Sequence, residues 1–381
     1  MQTPAPTLDQ LLDPDIRSRM IEGVNGLDMH ILEAGFEEPG RPLLLLAHGH
    51  PELAFSWRRI MPALAGAGYH VVAPDLRGFG RTTGWDHRYE CDLLEFGFLS
   101  KVRDMLALVD RLGRHSAAGI VGHDLGSFVA AYCALVRPDV FRSVVLMSAP
   151  FAGPLPLGAD RQNSGLMRLN ADLAALPCPR EYYVLWNCRP TSAADYENPP
   201  QGLEAFFRAY FHHKSADWAG NKPYRLPAQT AEHMAEMPTY YVMELDKGMA
   251  ATVAEHMPDP AQAAACQWLS DEEVAFFAAE YRRTGFQGAL NASYRTITEP
   301  RVHDEGRTFA GRRIDVPSCF ISGAQDWGVY QTVGALDAMP VTGCSRMAGV
   351  HLVEGAGHWV QQEQSSAVAD LLICFLQSVE A

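Results

Sequence analysis

The sequence predicts an α/β fold in which a mostly parallel sheet is interrupted by a helical insertion. Near-continuous apolar runs recur at intervals that leave room for helices, as expected of parallel strands that are buried on both faces. This alternation stops near Phe151 and resumes near residue 316. The chain has 381 residues, more than the ~250–300 at which one hydrophobic core usually stops growing. One domain with a large insertion, or two domains, is therefore expected.

The first 150 residues contain the predicted strands in order. A hairpin comes first, with Asn25-Gly26 at its turn, because this dipeptide permits a tight two-residue connection. The stretch 98–113 has apolar residues at helical spacing and ends on Gly113, so it is predicted to be a helix. Four near-continuous apolar runs are predicted to be buried parallel strands: 42–51, 69–80, 117–124 and 143–150.

The second part of the chain begins with a different pattern. From about 151 to 300 it is rich in Ala, Met, Tyr and Trp, contains helix-like stretches such as 271–285, and has no buried-strand run. Strand-like runs return at 316–326 and 349–358, before a C-terminal amphipathic helix. We therefore expect residues 1–150 and 301–381 to form one α/β core and residues 151–300 to form a helical lid.

Charge and hydropathy exclude several classes of protein. The formal net charge is -14 and there is no Lys/Arg cluster, which argues against nucleic acid or an anionic membrane as partner. No segment reaches the ~18 unbroken apolar residues of a membrane span. The first twenty residues lack a basic segment followed by an apolar one, so no secretory signal is predicted. A cytoplasmic location is expected.

The cysteines and histidines do not indicate a metal site or a disulfide scaffold. An H-E-x-x-H motif is absent from the sequence, and the cysteines lack the close pairs of a zinc site. We therefore expect no metal, no cofactor, and reduced thiols packed in the core. The eight cysteines are scattered singly: Cys91, Cys133, Cys178, Cys188, Cys266, Cys319, Cys344 and Cys374.

The segment "GIVGHDLGSFVAA" (119–131) carries the first candidate catalytic residue. Gly122 and Gly126 flank Asp124 between a predicted strand and a predicted helix. Such glycines allow strand and helix to approach closely and hold the central residue in a strained turn that exposes its side chain above the sheet. Many hydrolases carry a serine nucleophile there. Taken alone, Asp124 is equally compatible with a helix N-cap.

Two later segments favour the catalytic interpretation. "ISGAQD" places Asp326 at the end of the next-to-last strand, and "VEGAGH" places His358 after the last. Sites in open α/β sheets assemble at the carboxyl ends of strands, so Asp124, Asp326 and His358 are expected at one edge. Residues 148–151 after the preceding strand offer no alternative carboxylate.

These segments resemble the epoxide hydrolases of the α/β-hydrolase fold, which carry a helical lid. The similarity includes "HGHPELAFSWRRIMPALAGAGYHVVAPDLRGFGRT" (48–82), the aspartate at the strand-helix turn, the Asp326 and His358 segments, and "GFQGALNASYR" (285–295) in the lid. It extends over nearly the whole chain from about Met20 and is weakest between about 189 and 260. The lid segment is the most specific match.

The resemblance implies a reaction in two steps that needs no cofactor. Asp124 would attack an epoxide carbon and form an ester, since a carboxylate is ionised at neutral pH and needs no base. His358, oriented by Asp326, would activate the water that hydrolyses this ester. The backbone N–H groups of His50 and Leu125 would hold the oxyanion. An apolar organic epoxide would thus become a vicinal diol.

The resemblance also implies roles for aromatic residues around this site. Two lid tyrosines would donate hydrogen bonds to the epoxide oxygen: Tyr294, displaced by one residue from the family position, and Tyr183, which fits better than its neighbour Tyr182. Tyr182 and Trp359 are expected to contact substrate. A cis peptide is expected between His50 and Pro51. The family commonly has Phe where His50 stands and Trp where Leu125 stands.

Two other functions remain open on the sequence. A haloalkane dehalogenase would share Asp124, His358 and the acid, but such enzymes usually hold the halide with a Trp side chain beside the nucleophile, and Leu125 offers no such donor. A non-catalytic binding protein of this fold usually lacks one of the three groups. The expected partners are a small-molecule epoxide and water, and a homo-oligomer is compatible with the sequence.

Overall fold

The structure is a computed structural model that describes residues 6–159 and 163–380, and it confirms the α/β class. An eight-stranded sheet forms the centre of the described chain, and two further strands pair separately. The strands in chain order are β1 (Ile16–Val24), β2 (Leu27–Ala34), β3 (Leu43–Ala47), β4 (His70–Pro74), β5 (Gly119–His123), β6 (Val144–Met147), β7 (Arg180–Tyr182), β8 (Val242–Glu244), β9 (Ser318–Gly323) and β10 (Met347–Val353).

The large sheet has the order β1-β2-β4-β3-β5-β6-β9-β10. β1 and β2 form the predicted hairpin, with Asn25 and Gly26 both at positive φ in its turn, and β2 also pairs antiparallel with β4. All the later neighbours pair in parallel. The carboxyl ends of β5, β9 and β10 therefore lie at the same edge of the sheet.

Helices cover the large sheet, which explains why β3 to β6 are buried along their whole length. The predicted helix over 98–113 is observed as Phe98–Arg111. The helix Leu125–Val136 is almost entirely apolar and packs on β3, β5 and β6. The helices and helical turns of this part are Leu8–Leu11, Ala54–Trp57, Met61–Gly66, Leu93–Phe96, Phe98–Arg111, Leu125–Val136, Trp327–Val329, Ala335–Ala338, Met339–Gly343, Val360–Glu363 and Ser365–Glu380.

The segment between β6 and β9 is mainly helical. Its helices and helical turns are Ser164–Ala174, Tyr183–Asn187, Ser192–Glu197, Leu203–Lys214, Ala231–Met234, Met249–Ala254, Pro260–Ala265, Asp271–Thr284, Gln287–Ser293, Arg295–Thr298 and Pro300–Arg307. The short antiparallel pair β7 and β8 also lies here, although the sequence predicted no strand. Three residues are too few to produce a strand-length apolar run. Over the described ranges, none of the helices has the length and apolar character needed to cross a membrane.

The cysteines are all free thiols. Cys133, Cys319 and Cys344 are buried as expected, and three others are half-buried. Cys178 and Cys374 are exposed, so the prediction that the thiols pack in the core is wrong for these two. Cys374 lies on an outward position of the C-terminal helix, which only its packing against the sheet reveals.

Candidate active site

Asp124 stands at the turn between β5 and the helix Leu125–Val136. Its backbone has φ 53° and ψ -116°, a conformation that side chains rarely adopt. The close packing around it requires glycine, because a Cβ on Gly122 would overlap the carbonyl oxygen of Gly126 and one on Gly126 would overlap that of Ala47. The Asp124 side chain makes no capping bond to its helix. Its carboxylate is therefore directed to other groups.

The backbone N–H of His50 donates a hydrogen bond of 2.9 Å to Oδ1 of Asp124. The His50–Pro51 peptide is cis, as expected. Leu125 directly follows Asp124 as the first residue of the helix, where backbone N–H groups have no partner within the helix. One of the two expected oxyanion donors thus already contacts the carboxylate, and the role of the Leu125 N–H remains a prediction.

His358 lies between the two carboxylates. Its Nε2 is 3.6 Å from Oδ2 of Asp124, and its Nδ1 lies 3.1 and 3.2 Å from the two carboxylate oxygens of Asp326. The Asp326 carboxylate also accepts the Gly328 N–H at 2.7 Å, which holds it in place. The structure therefore brings together Asp124, Asp326 and His358, as the strand ends predicted.

The loop that carries His358 is held on both sides. The Glu363 carboxylate accepts the N–H groups of Gly357 and Trp359, each at 2.9 Å. The carbonyl of His358 accepts a 2.7 Å hydrogen bond from Nε2 of His123. These bonds restrain the backbone immediately before and after the imidazole, so its ring can keep one orientation between Asp124 and Asp326.

His123 and Glu52 form a fully buried pair beneath this loop. Nδ1 of His123 lies 2.5 Å from Oε2 of Glu52. Burial lowers the pKa of His123, but the Glu52 carboxylate raises it by more, so the net pKa is above its usual value. One ring nitrogen thus faces the Glu52 carboxylate and the other faces the His358 carbonyl. This geometry gives His123 a structural role beneath the His358 loop.

The electrostatics of the site favour an ionised nucleophile. The Asp124 side chain is 22% exposed. Burial raises the pKa of Asp124, but the interaction with His358 and the positive charge of Lys214 lower it by more. The net pKa therefore lies well below the usual range. The pKa of Asp326 is also lowered, since burial is outweighed by His358. Both carboxylates are therefore charged at neutral pH.

The tyrosines of the insertion cluster near Asp124. The ring of Tyr183 lies 5.5 Å from that of Tyr294, and the ring of Tyr294 lies 5.1 Å from that of His50. Burial raises the pKa of both phenols well above the usual value, and Asp124 adds to this rise. Both tyrosines consequently keep their protons at neutral pH and can donate them.

Tyr182 and Tyr183 have different environments although they are adjacent. The hydroxyls of both donate to Oε1 of Gln331 at 3.2 Å. Tyr182 is the last residue of β7, and burial raises its pKa. Of the two, Tyr183 is the one whose ring contacts that of Tyr294, and the charge of Asp124 adds to the rise of its pKa. This geometry favours Tyr183 as the inward tyrosine.

Comparison with known proteins assigns the chain to a family. Epoxide hydrolase A of Mycobacterium tuberculosis is 32% identical over 359 residues, which cover 93% of this chain and 96% of the relative. The chain belongs to the epoxide hydrolase family. A second member, an epoxide hydrolase of Caballeronia sordidicola, is 30% identical over 359 residues that cover 94% of this chain and 93% of the relative.

The structural comparison agrees with this epoxide hydrolase assignment. An epoxide hydrolase from an endophytic Streptomyces superposes with a TM-score of 0.77 at 32% identity, covering 97% of both chains. The family model of the alpha/beta hydrolase fold matches residues 42–168. The fold is therefore the α/β-hydrolase fold predicted from the sequence.

Trp359 is completely buried in this member of the epoxide hydrolase family. Its ring packs against that of His358 with centroids 4.7 Å apart. Its indole N–H donates a 2.9 Å hydrogen bond to the carbonyl of Phe211. These contacts support a role in holding the His358 ring. Direct contact of Trp359 or Tyr182 with substrate stays a prediction.

Lys214 is a charged residue of the site that the sequence analysis missed. It ends the helix Leu203–Lys214, is 3% exposed, and its carbonyl accepts the His358 N–H. Burial lowers the pKa of Lys214, and Asp124 and Asp326 oppose this. Its Nζ lies 4.8 to 5.6 Å from the ring centroids of Tyr210, Tyr240, Tyr241 and Trp359. The sequence feature that could have indicated Lys214 is its position at the end of a helix rich in aromatic residues.

Proposed function

We propose that this protein hydrolyses an apolar organic epoxide to a vicinal diol through a covalent ester on Asp124. The observation that carries the proposal is the environment of Asp124, whose ionised carboxylate faces His358 on one side and lies near the tyrosines of the insertion. An sp³ epoxide carbon requires a displacing nucleophile and a proton donor for the departing oxygen. The relatives named as epoxide hydrolases support this function.

The first step is the opening of the epoxide ring. Oδ1 of Asp124 is bonded to the His50 N–H, so Oδ2 is the oxygen that attacks the carbon. A bond forms between Oδ2 and this carbon while the bond from carbon to the epoxide oxygen breaks. Tyr183 and Tyr294 donate hydrogen bonds to that oxygen, and one of them supplies its proton. Tyr183 must exchange its bond to Gln331 for this one.

The second step is the hydrolysis of the ester. His358 removes a proton from a water that attacks the carboxyl carbon of Asp124, and Asp326 stabilises the resulting imidazolium. The N–H groups of His50 and Leu125 hold the oxyanion. The diol oxygen then leaves with the proton from His358. The regenerated carboxylic acid of Asp124 passes its proton to the tyrosine that was deprotonated in the first step. The net reaction therefore consumes one epoxide and one water.

The insertion supplies the lid in this proposal. Residues 1–150 and 301–381 form the core that carries Asp124, Asp326 and His358, and residues 151–300 form the lid that carries the tyrosines. Closing a site in this way excludes bulk water from the ring-opening step and strengthens each electrostatic interaction within it.

Substitution of His358 by Gln tests the two-step mechanism. Ring opening does not need a base, whereas ester hydrolysis does, so the variant should accumulate a covalent adduct. Intact-protein mass spectrometry after addition of an epoxide should show a gain of one substrate mass, and peptide mapping should place it on Asp124. His351→Gln, on β10 outside the site, is the matched control and should accumulate no adduct. Rapid turnover by His358→Gln would contradict the assignment of the base.

A single turnover of the wild-type enzyme in labelled water tests the nucleophile. Water attacks the carboxyl carbon, so label should enter Asp124, and the diol of the first turnover should carry the unlabelled aspartate oxygen. Mass spectrometry of the diol and of the Asp124 peptide measures both. Labelled diol in the first turnover, with no label in Asp124, would mean that water attacks the epoxide directly.

A further inference from the structure

His50 presents an imidazole whose polar atoms are unused. The side chain is 1% exposed, and neither Nδ1 nor Nε2 has a hydrogen-bond partner among the described residues. Its ring lies 5.1 Å from that of Tyr294, 6.0 Å from that of Tyr196 and 6.3 Å from that of Phe79. Because the His50 N–H bonds Asp124, this ring stands beside the nucleophile and beside a proposed proton donor.

The imidazole is neutral and can both donate and accept a hydrogen bond. Burial lowers the pKa of His50 to about 3, so at neutral pH one ring nitrogen carries a hydrogen and the other a lone pair. Buried polar atoms are almost always hydrogen-bonded in proteins, and leaving them unpaired is destabilising. A phenylalanine would fill the same space without this cost. The ring therefore suits a polar group that enters with the substrate.

Two neighbouring side chains extend this polar surface. The hydroxyl of Tyr196 and the amide of Asn187 are fully buried, and neither bonds any described residue outside this pair. The Asn187 amide lies beside the Tyr196 hydroxyl and lowers the pKa of that phenol, although burial raises it more. Tyr196 thus places a buried hydroxyl next to the His50 ring, and Asn187 places an amide next to that hydroxyl.

We propose that His50, supported by Tyr196 and Asn187, binds a hydroxyl group of the substrate, so that the preferred epoxides are epoxy alcohols. The inference rests on the proposed function and changes its substrate class from apolar epoxides to epoxides that carry one hydroxyl on an otherwise apolar chain. A hydroxyl both donates and accepts, which matches a neutral imidazole. Since His50 adjoins both Asp124 and Tyr294, the hydroxyl belongs on a carbon next to the epoxide ring. An analogue without it leaves buried polar atoms unpaired, which sites of this kind discriminate against.

The test compares two substrates that differ only in this hydroxyl, trans-2,3-epoxyhexan-1-ol and trans-2,3-epoxyhexane. Wild-type enzyme should favour the alcohol in kcat/KM by about tenfold or more, the effect of one or two neutral hydrogen bonds. His50→Phe removes the ring nitrogens and keeps the backbone N–H, so the ratio should fall to about one. The ratio within each variant is the readout, so a general loss of rate does not affect it.

Two further variants make the comparison specific. Tyr196→Phe removes one hydroxyl and should lower the ratio severalfold, and it serves as the test if His50→Phe does not fold. Tyr281→Phe is the matched control, because its hydroxyl is equally buried and unpartnered but, among the described residues, its ring contacts Phe207 and Phe286 and not His50, which the Tyr196 ring does contact. It should keep the wild-type ratio.

The outcomes separate this inference from the proposed function. An unchanged ratio in Tyr196→Phe and in folded His50→Phe, with both epoxides hydrolysed, would overturn the hydroxyl site alone. A wild-type ratio near one would overturn it as well. Failure of the wild-type enzyme to hydrolyse either epoxide would overturn the proposed function together with this inference.

Discussion

In the proposed mechanism, a single carboxylate at the strand-helix turn determines which bonds the protein can break. Serine at such a turn needs a base before it can attack, whereas Asp124 is ionised because His358 and Lys214 lower its pKa by more than burial raises it. In the proposed mechanism, His358 is thereby free to act on water in the second step. The proposal thus assigns ring opening to Asp124, which needs no base, and ester hydrolysis to His358, which acts only as a base.

Tyr183 and Tyr294, the two proposed proton donors, should be partly redundant. Tyr183→Phe and Tyr294→Phe should each slow ring opening about tenfold, because the remaining phenol still donates, and the double variant should lose about 10³-fold or more. Single-turnover formation of the Asp124 ester measures this rate directly. A larger loss in Tyr182→Phe than in Tyr183→Phe would reverse the choice between these neighbours, and a wild-type rate in Tyr294→Phe would remove it from the mechanism.

At the scale of secondary structure elements, Glu33 joins three strands. It lies on β2, is fully buried, and bonds Arg17 and Arg19 on β1 and His70 on β4. Burial raises the pKa of Glu33, but His70 and the two arginines lower it by more, to about 2. This carboxylate therefore stabilises the antiparallel side of the sheet as long as it stays ionised.

Glu33→Gln should change how stability depends on pH. The folded pKa lies below the unfolded value, so the stabilisation is complete above about pH 4.5 and is lost as the pH falls toward 2. The variant should be about 2 kcal/mol less stable at pH 7, after allowance for solvent screening of the half-exposed arginines, and the difference should shrink at pH 3. Urea unfolding at both pH values measures this. Glu38→Gln, at an exposed ion pair, is the control, and a gap that widens in acid would contradict the prediction.

At the scale of the whole molecule, a buried ion pair connects the insertion to the core. Arg58 directly follows the helical turn Ala54–Trp57, and its Nε donates a 2.8 Å hydrogen bond to Glu273 on the helix Asp271–Thr284. Its Nη1 donates a 2.8 Å hydrogen bond to the side chain of Gln362, four residues after His358. Arg58 thus links the tyrosine-bearing segment to the loop of the proposed base, and the two halves of the site are held in one arrangement.

Glu273→Gln should therefore destabilise the whole fold. It leaves the Arg58 charge buried without its carboxylate, an effect of about 3 kcal/mol. Glutamine at this position can still accept the Ser270 N–H that Glu273 now accepts, so the loss reports the charge rather than the helix cap. The midpoint of urea unfolding followed by circular dichroism measures it. Glu272→Gln, on the exposed side of the same turn, should stay within about 0.5 kcal/mol of wild type.

The sequence by itself determined the features that depend on local pattern and chain order. Continuous apolar runs predicted the buried strands, because a strand covered on both faces needs apolar side chains at every position. Glycines on either side of Asp124 predicted the tight turn. Asp124, Asp326 and His358 each follow a predicted strand. Because parallel strands end at a common edge, these positions were sufficient to predict that the three residues meet.

The tertiary structure alone decided which side chains meet across the insertion. The burial of Lys214 and the unused nitrogens of His50 depend on residues far away in the chain, which no local periodicity encodes. Tyr182 and Tyr183 are adjacent residues of the same type, so the sequence does not distinguish them. β7 ends at Tyr182, and the ring of the next residue, Tyr183, contacts that of Tyr294. The physical reason is that a strand or helix can be predicted from the spacing of its own residues, whereas the charge and hydrogen bonding of a site depend on contacts between distant segments.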